Sequence, residues 1–380
     1  MTPSRYLQIV LGSVLFGLGA IAALNWYADP YGIYRYGRPG DPERFRAGIF
    51  NASYLHKAHA LRELKPDAIV VSHARVLIGV DPRHPGLPPG TYNLGLGGAH
   101  LYEISRYLQE AFADHPPKLV VLGIDARMFT ENADISPEFS EARMRVRADG
   151  TPTPFYRLAD LQATLLSIPA LYYSAKTLRG RTGAPQFVQG FPADFMEKVD
   201  RLDLTANVLK MNAKWLAPYL QREKPSRRLP HQMDAYAEIV KLCAAHGTRL
   251  VVFVHPLHAR TIDQMTVDEA VYARWLRTVA ALTAQLDPDA ELWDFAGYNE
   301  ISTEAFPPPS SENSTMHWYW EANHYRAALG SLVLDRLLLG KGPQGFGLRV
   351  TPANVDADLD RLFAERAAWH RDGRLAPLRW

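Results

Sequence analysis

KPDAIVVSHARVLIGVDP, residues 65–82, is the stretch that decides the fold. The run Ala68-Ile69-Val70-Val71 is short, uninterrupted and rich in branched side chains, which is the pattern of a strand buried on both faces of a parallel sheet. Ser72-His73-Ala74-Arg75 then falls at the carboxyl end of that strand. In open α/β sheets this edge is where ligands bind, because each strand-to-helix turn projects side chains and backbone N–H groups into a crevice. An ordinary polar strand exit carries the same residue types, so the turn needs a partner elsewhere in the chain before it becomes a site.

The pattern recurs along the chain. Residues 92–99, YNLGLGGA, read as a very short strand followed by a glycine turn, with a helix from near His100 to about Asp114. KLVVLGI at 118–124 is a further strand ending in Asp125 and Arg127, RLVVFV at 249–254 is a fourth ending in His255 and His258, and ELWDF at 291–295 is a fifth. Amphipathic stretches at 234–246 and 267–286 fill the intervals. Strands alternating with helices give an α/β fold, a parallel sheet of about five strands wrapped on both faces.

Between residues 129 and 229 the rhythm is lost, and this Pro-, Arg- and aromatic-rich segment reads as an inserted helical subdomain with helical pieces at 156–166 and 195–217. Within it Glu141 and Arg143 read as a pair on a helix surface. Residues 341–380 read as a loop plus one helix at 356–369.

Residues 7–24, LQIVLGSVLFGLGAIAAL, carry no charge and have about the length needed to span a bilayer as a helix. Arg5 precedes the run and Trp26 and Tyr27 follow it as interface aromatics, so residues 1–29 read as an anchor with a cytoplasmic amino terminus and the remainder exported. A cleaved signal peptide, cut near Ala20, Ala22 or Ala23, is the alternative. Residues 30–64 follow as an extended linker and a leading helix that begins near Phe45. A formal net charge of +2 offers no basic surface of the size nucleic acid requires. The single Cys243 allows no intramolecular disulfide and reads as a small core residue.

The chemistry becomes specific at residues 318–340, WYWEANHYRAALGSLVLDRLLLG. Glu321 and His324 stand three residues apart at what reads as the start of an amphipathic helix, a spacing that lets a carboxylate orient an imidazole and leave its other nitrogen as a base. His255 and His258 are possible metal ligands but have no acid or cysteine at ligand spacing, so substrate contact or packing is favoured and no metal is assigned. Asp125 and Arg127 read as substrate contacts or a surface ion pair, and Trp318, Tyr319 and Trp320 as sugar-stacking or packing aromatics.

A serine turn after the first strand, an Asn/Gly turn after the second and an acid-x-x-His pair near the last helix together resemble the SGNH (GDSL-like) hydrolase superfamily. The likeness is nearest to its membrane-anchored branch, which includes the DltD proteins of teichoic-acid D-alanylation and the partners of exopolysaccharide O-acetylation. It covers the sheet and its turns, roughly residues 65–125 and 235–340 of an α/β domain read as 65–128 and 230–340, and implies a flavodoxin-like sheet. It implies an O-acyltransferase or esterase that needs no cofactor, acts on an acylated glycan or cell-surface polysaccharide, and works beside a membrane-bound O-acyltransferase in the periplasm. On this likeness His324 and Glu321 are catalytic, and His73, Arg75, Asn93, Gly95, Asp125, His255 and His258 line the substrate or oxyanion site. The family's nucleophilic serine, however, aligns with Ala74. Three accounts follow: Ser72 serves instead, the domain binds without turnover, or Ala74 replaces a natural serine. The family's separate Gly-x-Asn-Asp block is not visible.

Overall fold

A computed structural model describes residues 2–34, 46–130, 135–180, 187–192, 230–306 and 316–372. The helical piece expected at 195–217, most of the linker and the last eight residues lie outside these. The chain packs as two units, Met1–Lys65 with Pro137–Val188 and Pro66–Ser136 with Gln189–Trp380.

The second unit carries the sheet. Its strands are β1 (Ala68–Ser72), β2 (Tyr92–Gly95), β3 (Leu119–Ile124), β4 (Arg249–Val254), β5 (Glu291–Asp294) and, after a short hairpin described below, β8 (Leu348–Val350). Among the described residues these form one six-stranded sheet in the order β2-β1-β3-β4-β5-β8, the first five parallel and β8 antiparallel to β5. The expected count of five therefore misses β8, a three-residue strand inside the segment read as a loop. Leu348-Arg349-Val350 is too short for an alternating pattern to emerge, and it is paired through the backbone with Leu292, Trp293 and Asp294. The helix beyond it runs Val355–Arg371.

Every residue of β1 and β3 is buried, as are the last five of β4, which is why they read as unbroken apolar runs. Each fully buried Val, Ile or Leu contributes roughly 1.5–3 kcal/mol of transfer free energy. Helices α3 (Ala74–Gly79) and α4 (Leu101–Phe112) follow β1 and β2, α7 (Pro230–Ala245) precedes β4, α8 (Ala259–Met265) and α9 (Glu269–Leu286) follow it, and α10 (Ala327–Leu339) precedes β8. Cys243 is buried within α7, and burial pushes its thiol up to about 12, so it acts as a small core side chain. The chain leaves β1 for β2 on one side and reaches β3 on the other, so strand order reverses between β1 and β3. A crevice opens at such a reversal, beyond the carboxyl ends of the strands.

The first unit contains α1 (Pro3–Ala28), α2 (Ser53–Leu64), α5 (Leu161–Leu165) and α6 (Ile168–Leu178). Helix α1 is long and apolar enough to cross a membrane, with a mean hydropathy of 2.2 over its best window and none of that window buried. Arg143 departs from the expected surface pair: it is buried, and its Nε donates to both oxygens of Asp160 at 3.0 Å. Burying a guanidinium requires a carboxylate facing it squarely, and Asp160 supplies one.

Candidate active site

All five parallel strands exit through one local device, in which a polar side chain accepts a hydrogen bond from the backbone N–H two residues on. After β1 it is His73 Nδ1 with the Arg75 N–H (3.2 Å), in β2 Asn93 Oδ1 with Gly95 (2.8 Å), and after β3 Asp125 Oδ1 with Arg127 (2.8 Å). After β4 it is His258 Nδ1 with Arg260 (3.2 Å), and at β5 Asp294 Oδ1 with Ala296 (2.7 Å). These caps satisfy N–H groups that the sheet ladder has released. Polar residues at these exits therefore have a structural reason to be there, and site residues are those with something further to do.

Asn93 is not among them. Its Nδ2 donates to the carbonyls of Val76 and Val80 at 2.8 and 2.7 Å, tying the end of α3 to β2, so its amide faces the fold rather than an oxyanion. Gly95 is likewise structural: its N–H is taken by Asn93, and an added Cβ would lie 2.2 Å from the Leu77 nitrogen. His258 is buried between Phe306 and Tyr319, and its Nε2 donates to the Glu304 carbonyl at 2.8 Å. Burial brings its imidazole down to about 4, so it stays neutral.

The remaining residues converge on the exits of β1 and β3, where strand order reverses. Asp125 accepts from the Arg75 guanidinium, and from His73 Nε2–H at 2.9 Å. Burial alone would raise the Asp125 carboxyl, yet the Arg75 charge and the His73 hydrogen bond hold it well below the usual carboxylate range. Burial and the same Arg75 charge bring His73 down to about 4. Its Nδ1 accepts from the Arg75 N–H at the cap, and its Nε2 faces both Asp125 Oδ2 and Arg75 Nη1. The His73 ring stacks on that of His255, centroids 5.3 Å apart.

His255 is fully buried, and burial together with His73 and Arg75 keeps its imidazole neutral, well below the ordinary value. Its Nε2 lies 3.0 Å from Ser72 Oγ and its Nδ1 3.1 Å from the Tyr325 hydroxyl. A neutral imidazole donates at one nitrogen and accepts at the other, so both are satisfied here. Ser72 itself is wholly enclosed.

His73, Asp125 and His255 place their ligand atoms within 4.8 Å of one another, a geometry that can hold a metal ion. The acid missing from the spacing around His255 thus comes from β3. Arg75 already occupies the shared space, however, with its Nη1 2.7 Å from His73 Nε2 and against Asp125. The guanidinium supplies the positive charge that Asp125 needs, and a divalent ion would meet that charge at contact range.

Glu321 and His324 do not begin a helix. They face each other across a two-residue turn in a hairpin of β6 (Tyr319–Glu321) and β7 (His324–Tyr325), with α10 starting only at Ala327. A three-residue separation brings two side chains together on a helix turn and across a tight hairpin alike, and the aromatic run 318–320 favours the strand. His324 Nδ1 is hydrogen-bonded to Glu321 Oε1, while Glu321 Oε2 accepts from the Asn323 N–H at 2.8 Å. Burial would raise the Glu321 carboxyl, but the His324 imidazole and these hydrogen bonds lower it. The His324 side chain keeps 30% of its surface exposed against 5% for Glu321, so Nε2 remains as the acceptor nitrogen of a carboxylate-oriented imidazole.

Three strand exits fasten the tip of this hairpin. Arg75 Nε donates to the Asn323 carbonyl at 2.6 Å, Arg127 reaches Asn323 Oδ1 at 3.4 Å, and Thr261 Oγ1 donates to the Ala322 carbonyl at 2.7 Å. Below the tip Tyr325 packs against Gly79, where an added Cβ would fall 2.4 Å from its ring. His324 lies close enough to interact electrostatically with both His73 and His255. Residues 72–75 and 321–325 therefore form one cluster, and Ala74, at the first position of α3, contributes no hydroxyl to it. Trp320 and Tyr319 are buried rather than offered to a ligand, Trp320 lying under the Arg326 guanidinium at 4.3 Å.

Thr261, Asn323 and Tyr325 were not legible as site residues. Their contributions are, in turn, a hydroxyl bonded to the Ala322 carbonyl, a carbonyl and an amide oxygen facing Arg75 and Arg127, and a ring and hydroxyl set against Gly79 and His255, none of which leaves a spacing signal. Compared with protein-family models and with curated proteins, the chain matches none.

Proposed function

We propose that this chain is a membrane-anchored SGNH-like protein of cell-surface or exopolysaccharide acylation, which holds an acylated glycan at the β1–β3 edge without forming an acyl-enzyme. The parallel order β2-β1-β3-β4-β5 supports a flavodoxin-like sheet of this type. Helix α1 supports anchoring in a bacterial inner membrane, with the sheet-bearing unit in the periplasm beside a membrane-bound O-acyltransferase.

One observation carries the reading. Glu321 orients the His324 imidazole on a hairpin that Arg75 ties to the β1 bend, whereas Ser72 is enclosed and Ala74 has no hydroxyl. Such an imidazole accepts a hydrogen bond from a sugar hydroxyl or polarises it, while covalent transfer requires a reachable nucleophile. A second reading, an O-acyltransferase or esterase using Ser72, draws on the 3.0 Å contact between Ser72 Oγ and His255 Nε2, which has the geometry of a hydroxyl beside its base.

Binding and labelling separate the two. The full chain in detergent should bind an O-acetylated oligosaccharide more tightly than its deacetylated form, release no acetate, and resist a serine-directed fluorophosphonate. Labelling abolished by Ser72→Ala would establish the second reading. A periplasmic reporter fused after Lys341 should be active, and activity of a cytoplasmic reporter there would reverse the topology.

A further inference from the structure

Helix α1 ends in a polar clasp made by its own unit. Asn25 directly follows the apolar run 7–24 and is fully buried. Its Nδ2 donates to the Leu165 carbonyl at 2.8 Å, and its Oδ1 accepts from Ser174 Oγ at 2.7 Å. One side chain thus holds both the end of α5 and the middle of α6. At a rise of about 1.5 Å per residue, the α5–α6 elbow lies within a turn of the level where the apolar run stops. In a spanning helix that level is the boundary between hydrocarbon and headgroups.

The outer surface of the elbow matches that depth. Ala170, Ser174 and Thr177 form the buried face of α6, while Ile168, Tyr172 and Lys176, spaced by four, form an exposed stripe. Ile168 is 83% exposed and Phe155, in the turn leading into α5, 80%. Leu158 and Leu166 are exposed as well. Isolated apolar residues on a surface need no explanation, but several within one short segment do. Lys176 Nζ sits 4.5 Å from the Tyr172 ring centroid, and Arg157 and Arg179 are exposed nearby in sequence. An apolar tip followed by an aromatic ring and cations is the order met on passing from acyl chains through headgroups to water.

We propose that the exposed face of α5–α6 rests on the lipid surface around α1. Ile168, Leu166 and Phe155 enter the headgroup–acyl boundary, and Lys176, Arg157 and Arg179 lie against anionic headgroups. The proposal depends on α1 spanning the membrane and adds a second lipid contact that fixes the depth of this unit.

Site-directed fluorescence in the full chain, reconstituted into vesicles of phosphatidylethanolamine and phosphatidylglycerol, tests both points. In a Cys243→Ala background an environment-sensitive fluorophore is placed by Leu15→Cys, Ile168→Cys or Val267→Cys, each 68% exposed or more. With lipids carrying a spin-label quencher either near the headgroup or near the acyl-chain end, residue 168 should be quenched most by the shallow label, residue 15 by the deep label, and residue 267 by neither. Quenching at 15 alone overturns the lipid contact and leaves the anchor standing. Quenching at neither overturns both, and equal quenching at 168 and 267 overturns the specific surface. These positions are exposed, so the substitutions do not disturb the core, and circular dichroism of each variant should match the parent.

Discussion

Arg75 Nε donates to the carbonyl oxygen of Asn323 across 2.6 Å while the same guanidinium is paired with the buried Asp125. One side chain therefore joins the bend after β1, the exit of β3 and the hairpin that carries His324. Arg75→Ala leaves the Asp125 charge buried without its partner, and a loss of about 3–5 kcal/mol in chemical denaturation is expected. Arg75→Lys keeps the charge but not the planar fork, so its loss should be smaller, with the hairpin contact still broken. Equal stability of Arg75→Ala and the parent would refute the joint.

Glu321 fixes the tautomer of His324. With Nδ1–H held by the carboxylate, the ring nitrogen shifts in NMR should report Nε2 as unprotonated in the neutral form. Glu321→Ala removes that restraint, and the Nε2–H tautomer, favoured by a free imidazole, should appear. His324→Ala should weaken binding of the O-acetylated oligosaccharide by roughly tenfold, the equivalent of about 1.4 kcal/mol, as expected for one lost hydrogen bond of this kind.

Gly95 is required by a close approach. A methyl group there would meet the Leu77 backbone at 2.2–2.4 Å, so Gly95→Ala must push β2 and α3 apart. The expected cost is roughly 1–3 kcal/mol, the range for overpacking a core. Gly97 has nothing within 4 Å of an added Cβ, and Gly97→Ala should change stability by less than about 0.5 kcal/mol. Thermal melts of the two variants decide the matter, since a mere flexible turn predicts similar effects for both.

Asp294 gives the fold an alkaline weakness. Burial, and then the negative charge of Asp358 on α11 (Val355–Arg371), raise its carboxyl well above the usual value, with Arg361 opposing them in part. The folded state thus holds a proton that the unfolded state gives up near pH 4. Stability from this group is complete below that pH and is lost as pH rises towards the raised value of the folded state. Asp294→Asn keeps the acceptor for the Ala296 N–H and carries no charge. Its melting temperature should fall less steeply above pH 4 than that of the parent, and should exceed the parent's at alkaline pH. Parallel pH profiles would show that the pair does not titrate in this way.

The sheet was readable because buried parallel strands are written as unbroken branched runs, and β1, β3 and β4 fall within a residue of their expected limits, as does β5 with its half-buried Glu291 and Trp293. β8 was not, since three residues paired only through the backbone carry no such signature. The pairing of Glu321 with His324 followed from their spacing, although not the hairpin that holds them. The enclosure of Ser72 by His255 could not have been read, because it depends on how closely β1 and β4 exits pack across β3. The capping role of Asn93 was hidden for a related reason: an amide satisfying two carbonyls of the preceding helix has the same sequence as one facing a ligand.

The bend at 72–75 and the imidazole of His324 belong to one cluster, to which Ala74 brings no hydroxyl. Fluorophosphonate labelling of Ala74→Ser tests this most directly, alongside the parent chain and Ala74→Ser/His324→Ala. Labelling of Ala74→Ser alone is expected, with the parent and the double variant unlabelled. Labelling of Ala74→Ser that persists without His324, or no labelling of a folded Ala74→Ser, would contradict it.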